Sequence, residues 1–248
     1  MRSEKRVGSQ ERVAMRAEGW YNGGGRLNMQ AGGGGMQRIG LFGGTFNPIH
    51  VGHLTLAEEA LIAGRLDRVV LIPSGESYFK DLLGIASRED RLRMTQLACR
   101  GLYDVSDIEI RREGPSYTSV TCDSFKRSHP EDALFLLLGA DSLMEIEKWH
   151  DFEAIFRCSS ILAFARGGED TEALHGQAAR LSKLYGAQIE VFDTFRLSLS
   201  SSEIRGRIAE GQAFRHLVTE PVYQYICRKR LYGFISGQDD TRGNAGGE

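Results

Sequence analysis

Two histidines, His50 and His53, close the string Gly43-Gly44-Thr45-Phe46-Asn47-Pro48-Ile49-His50-Val51-Gly52-His53. An apolar run (Ile39, Leu41, Phe42) leads into the glycines, and a helical pattern (Leu54, Leu56, Ala57, Ala60, Leu61) follows the histidines. Strand, glycine turn and helix in that order attract anions, because bare backbone N–H groups and a helix N-terminus both point at the same place. Imidazoles add further donors, and their spacing puts both on one side of the first helical turn. The chemistry this suits is binding of a nucleoside triphosphate and reaction at its phosphates. The string is neither G-x-G-x-x-G nor a Walker loop. A zinc site would need a third ligand, and the sequence has neither H-E-x-x-H nor a cysteine pair.

A second group lies at Leu199–Arg205, Leu-Ser-Ser-Ser-Glu-Ile-Arg. Its serines read as a helix N-cap with an arginine one turn on. That pattern is either an ordinary cap with a solvated arginine or a phosphate grip, for which the guanidinium fork is well shaped. In the middle of the chain, Gly139-Ala140-Asp141 follows the apolar run Leu134–Leu138, and Trp149 comes shortly after. Taken singly, Asp141 is a helix cap and Trp149 is core. Both fall beyond a strand's C-terminal end, where open α/β sheets keep their ligands. Gly114-Pro115-Ser116-Tyr117-Thr118 and Phe164-Ala165-Arg166 occupy comparable positions.

The first string resembles the nucleotide-binding signature of the nucleotidyltransferase superfamily, G-x-F-x-P-x-H-x-G-H, and Leu199–Arg205 is similar to its second motif, S-[ST]-x-[IV]-R. The middle residues, Gly139-Ala140-Asp141-Ser142-Leu143 with Trp149, and Pro115-Ser116-Tyr117-Thr118, resemble the bacterial nicotinate-mononucleotide adenylyltransferases over about Gln37 to Gly233. The resemblance implies transfer of AMP from ATP to nicotinate mononucleotide, giving nicotinate adenine dinucleotide and pyrophosphate, a step of NAD biosynthesis. It implies catalytic roles for His50, His53 and Arg205. ATP would be held by Gly43, Gly44, Thr45, Phe46, Gly52, His53, Gly139, Asp141, Ser201, Ser202 and Arg205. The acceptor would be held by Lys80, Tyr117, Thr118, Trp149 and Arg166. Mg²⁺ is expected to arrive on the ATP, since no carboxylate cluster marks a dedicated site. One departure stands out: where the family often has P-P-H-K, this chain reads Ser77-Tyr78-Phe79-Lys80. The rival readings are another phosphate acceptor, such as nicotinamide mononucleotide or pantetheine phosphate, and a nucleotide-binding module without chemistry.

The elements that must position these residues alternate between strand and helix. Strands are expected at Arg38–Phe42, Val69–Ile72, Val105–Arg111, Leu134–Leu138, Ile161–Ala165 and Gln188–Phe192. Helices are expected from Gly52 to Ala63, Ser87 to Arg100, Thr118 to Arg127 and Thr171 to Tyr185. Two more are expected, one from the serine cap at Ser200 and one over Pro221–Arg228. The fold class is therefore α/β, a Rossmann-like doubly wound parallel sheet with helices on both faces, of nucleotidyltransferase type.

The 248 residues carry 41% hydrophobic and 26% charged side chains, the balance of an ordinary globular protein. A formal net charge of -2 argues against a nucleic-acid partner held by bulk positive charge. Four scattered cysteines (Cys99, Cys122, Cys158, Cys227) suit reduced thiols in a cytoplasmic protein. No apolar run is long enough for a membrane partner. Residues 1–35, glycine-rich and without apolar periodicity, are expected to be a disordered extension; 36–235 form the catalytic domain, and 236–248 a flexible tail. A homo-oligomer is left open.

Overall fold

The computed structural model describes residues 35–75, 84–99, 103–165, 169–193 and 199–235. Apart from Gly35, the expected extension and tail lie outside these residues, as do Lys80 and Arg166.

The strands are β1 (Arg38–Gly44), β2 (Arg68–Pro73), β3 (Asp104–Val105), β4 (Ala133–Gly139), β5 (Ser160–Ala165) and β6 (Ile189–Asp193). They form one sheet in the order β3-β2-β1-β4-β5-β6, and every neighbouring pair is parallel. The helices are α1 (Val51–Ala63), α2 (Arg88–Cys99), α3 (Ile108–Arg111), α4 (Thr118–Ser128) and α5 (Ala140–Met144), then α6 (Phe152–Cys158), α7 (Glu169–Tyr185), α8 (Ser201–Ala209) and α9 (Glu220–Lys229).

Strands buried on both faces read as unbroken apolar runs, and β4 (Ala-Leu-Phe-Leu-Leu-Leu-Gly) is such a run. Its side chains alternate between two cores. Phe135 and Leu137 join Val69, Leu71, Leu162 and Phe164 under α1, α2, α8 and α9. Leu134, Leu136 and Leu138 join Ile39, Leu41, Val70 and Ile161 under α4, α5, α6 and α7. The doubly wound α/β fold expected from the alternation is thus present.

One expected element differs. Val105–Arg111 is not a full strand: only Asp104–Val105 pair with β2, and the chain then turns into α3. Ser106 N–H still donates to Leu71 O, and the Ser106 hydroxyl accepts from Ile108 N–H at the start of the turn. The alternation misled because Glu109 is buried alongside Ile110, at 7% and 9% exposure, while Asp107 and Arg111 pair one turn apart on the outer side of a helix.

Candidate active site

The strand order reverses between β1 and β4, since β2 and β3 extend one way and β5 and β6 the other. Parallel strands carry their connections away from such a point, which opens a crevice at their C-terminal ends. Pairing runs to Leu41 opposite Leu136, and three residues further on the strands end at Gly44 and Gly139. A Cβ on Gly43 or Gly139 would meet nothing within 4 Å, so both glycines border open space.

Beyond Gly44 the chain bends sharply. Phe46 takes a left-handed conformation (φ 48°) and buries its ring, leaving room for no Cβ on Gly44, which would lie 2.9 Å from Phe46 Cε1. The buried Asn47 then acts as a junction. Its Oδ1 accepts from Ala86 N–H (3.0 Å) and from the Tyr232 hydroxyl (2.8 Å). Its backbone carbonyl accepts from Arg205 Nη1 at 2.9 Å, and the next carbonyl, Pro48 O, accepts from the Ser201 hydroxyl at 2.9 Å. The N-terminus of α8 is thereby bound to the turn that precedes α1, and the positive ends of two helix dipoles meet there.

His50 is the residue before α1 and is 5% exposed; His53, in its first turn, is half-buried. Their rings stack at 3.7 Å with 27° between planes, and the edge of Phe46 closes on His53 (5.0 Å, 88°). His53 Nδ1 accepts from the backbone N–H of His50 at 3.2 Å. That bond fixes the tautomer: the neutral ring must carry its proton on Nε2, so His53 presents a donor at its far edge. Gly52 makes the stack possible, because a Cβ there would lie 3.0 Å from His50 Nδ1. Gly52→Ala is expected to keep the fold and lower turnover by about tenfold as His50 is pushed under His53. Steady-state turnover, beside an unchanged melting temperature, checks this.

In the second group Ser200 is the N-cap, its hydroxyl accepting from Glu203 N–H at 3.1 Å. Arg205 is half-buried and divides its donors between Asn47 O and the Ser202 hydroxyl (3.1 Å). Ser201 spends its hydroxyl proton on Pro48, whereas Ser202 is exposed. The structure therefore gathers Gly43, Gly44, Thr45, Phe46, His50, Gly52, His53, Ser201, Ser202 and Arg205 around one turn.

The middle residues follow the C-terminal end of β4 and the start of α4. Asp141 is exposed in the first turn of α5, directly after Gly139, and Trp149 is half-buried against the core beneath α5 and α6. Tyr117 precedes Thr118 at the start of α4 and stacks on His150 (4.1 Å, 17°). His150 was not picked out from the sequence, although its place beside Trp149 offered a cue.

Arg91 was missed too. It is 2% exposed, yet it sits in a charged stretch, Arg88-Glu89-Asp90-Arg91-Leu92-Arg93, that reads as solvated. Its Nη1 donates to Thr45 O (2.9 Å) and Ser74 O (2.7 Å), and its Nη2 to Gly75 O (2.7 Å). Gly75 in turn donates its N–H to the Ser116 hydroxyl at 3.0 Å, and a Cβ on Gly75 would run into the Glu109 carbonyl.

Glu109 is buried next to this junction and accepts from the Thr121 hydroxyl at 2.8 Å, while Arg112 donates to the same hydroxyl. Burial pushes its carboxyl above the usual glutamate range, although hydrogen bonds from Thr121 and Ser116 and the nearby Arg112 and Arg91 act in the opposite sense. A raised pKa in the folded state means stability lost as pH rises through it. Glu109→Gln, which keeps an acceptor for Thr121, is expected to raise the melting temperature at neutral pH. The gain should vanish as pH falls below about 4.3, where the unfolded glutamate also protonates. Thermal melts across that range check the sign.

Among the described residues no group of three or more His, Cys, Asp or Glu side chains is placed to hold a metal ion, and no helix is long and apolar enough to cross a membrane.

Comparison with known proteins adds four findings. The cytidylyltransferase-like family model matches residues 41–207. A protein of Carboxydothermus hydrogenoformans named "Probable nicotinate-nucleotide adenylyltransferase" is 39% identical over 197 residues, covering 79% of this chain and 98% of its own length. One of the same name from Geobacter sp. (strain M21) is 38% identical over 211 residues, covering 79% and 98%. Among solved structures, Plasmodium falciparum nicotinic acid mononucleotide adenylyltransferase complexed with NaAD superposes with a TM-score of 0.67. It is 17% identical and covers 80% of this chain and 98% of its own, a likeness of fold.

Proposed function

We propose a reaction for this chain from its family: it belongs to the nicotinate-nucleotide adenylyltransferases, within the cytidylyltransferase-like group, and it transfers AMP from ATP to nicotinate mononucleotide. The single observation that carries the chemistry is the stacked histidine pair at the helix N-terminus, pinned to α8 through Arg205 and Ser201.

The 5′-phosphate of the mononucleotide attacks the α-phosphorus of ATP in line. A new P–O bond forms, the bond from the α-phosphorus to the α–β bridging oxygen breaks, and pyrophosphate leaves with its electron pair. The attacking phosphate is already anionic, so no general base is required. Rate then comes from alignment and from stabilising charge on the α-phosphate and the leaving group. We assign the Nε2–H of His53 to a non-bridging α-phosphate oxygen. His50 supports it from behind and borders the phosphate chain. The remaining donors of Arg205, the exposed Ser202 and the N-terminal N–H groups of α8 suit the β- and γ-phosphates. Mg²⁺ enters as part of the Mg·ATP substrate. Gly139 and Asp141 are assigned to the nucleoside; Tyr117, Thr118 and Trp149 suit the pyridine nucleotide, and Lys80 and Arg166 are assigned there from the sequence alone.

The acceptor is tested by comparing nicotinate and nicotinamide mononucleotides with ATP. A site built for a carboxylate rejects the amide, because its donors are left unpaired. The expected ratio of kcat/KM is at least about 10² in favour of nicotinate; a ratio near one would shift the assignment to a dual-specificity enzyme. A cytoplasmic setting fits the cysteines. All four are free thiols, and burial pushes those of Cys99 and Cys122 up to about 12, far from the reactive range.

A further inference from the structure

In-line transfer requires two separately bound phosphates to meet at a fixed distance and angle. The proposed donor site is built on the turn after β1, and the proposed acceptor site includes Tyr117 and Thr118, which follow Ser116 into α4. Between them stands Arg91. Its guanidinium, 2% exposed, holds Thr45 O on the donor side and Ser74 O and Gly75 O on the other. The same Gly75 gives its N–H to Ser116. Thr45, Arg91, Gly75 and Ser116 thus make an unbroken run of hydrogen bonds from one subsite to the other. Gly75 has no slack in this run, since the Glu109 carbonyl occupies the space beside it.

We infer that Arg91 is a positioning residue that sets the registry between the two subsites, an inference that rests on the reaction proposed above. Carbonyls at the ends of β1 and β2 would otherwise lose their partner on burial, and the two loops could move independently. A planar, five-donor fork is needed because the carbonyls approach two different nitrogens of the group. Lysine keeps the charge but offers a single point donor on a flexible stem.

The test compares wild type, Arg91→Lys, Ser116→Ala and the double variant. Pyrophosphate release gives kcat, and calorimetry gives the separate affinities for Mg·ATP and for the mononucleotide. In folded Arg91→Lys, kcat is expected to fall about 10²-fold, the loss typical of misplaced reactants. Each binary Kd should stay within about threefold of wild type, a split that loss of stability alone would not produce. Ser116→Ala should lower kcat about tenfold, and the double variant should be little worse than Arg91→Lys, because both act through Gly75. A folded Arg91→Lys with wild-type kcat, or losses that simply add, would overturn the inference. If Arg91→Lys does not fold, Ser116→Ala decides alone: unchanged kcat sinks the proposal. Wild-type protein that turns over no mononucleotide counts against the reaction instead, which keeps the two failures apart.

Discussion

Replacing His53 by alanine is expected to lower kcat for pyrophosphate release by about 10²–10³-fold, the cost of removing one preorganised donor from a developing oxyanion. The geometry explains why the loss should fall on kcat. His53 Nδ1 is committed to His50 N–H, so the ring cannot swap tautomers and its Nε2–H is oriented before substrate arrives. The stack on His50 and the edge of Phe46 hold the ring plane. A donor fixed this way needs no reorganisation as charge builds on the α-phosphate, and that gain is larger in the transition state than in the ground state. The affinity for Mg·ATP should therefore change far less than turnover. Stability should fall only modestly, by about 1 kcal/mol, because His50 N–H loses its acceptor while Ala itself suits α1. A correctly folded His53→Ala with near-normal turnover would remove His53 from the chemistry.

The second large effect is on stability. Leu137 lies in the middle of β4, 1% exposed, between β1 and β5. It packs in the core beneath α1, α2, α8 and α9, and its Cδ1 lies close to where Gly40 has no side chain. Leu137→Ala removes three carbons from a site bounded on both sides by rigid strands, which cannot close the void. The expected cost is about 2–5 kcal/mol. For a domain of this size that is a fall of roughly 10 °C in melting temperature. Urea or thermal unfolding would show it, and a loss below about 1 kcal/mol would mean the core relaxes more than the neighbouring strands allow.

Much of the architecture was legible because burial on both faces leaves a plain trace. The runs in β1, β2, β4 and β5 have no polar face to hide them, and each is closed by glycine, proline or a polar turn. Failure came at Val105–Arg111, where a buried glutamate broke the rule that charge marks the solvent side. The shape of the turn from Gly43 to His53 was readable because its glycines serve the local backbone and the histidine rings next to them. Its supports were not. Arg91, Tyr232 and Glu109 look like ordinary surface residues in their own segments, and only tertiary packing turns them inward. The serines of Leu199–Arg205 were seen, but not the share of them that holds the turn: Ser201 donates to Pro48 O, a partner 153 residues away.

The bond from the Tyr232 hydroxyl to Asn47 spans 185 residues, from the front of the described chain to its rear. A ribosome makes Asn47 185 residues before Tyr232. Until then the turn lacks one of its anchors, and the Arg205 link too waits for a residue made 158 positions after Asn47. The growing polypeptide can form β1, β2 and α1 before the turn between β1 and α1 is fully anchored. Premature termination after Asp193 but before residue 232 would release a product with its sheet complete and this anchor missing.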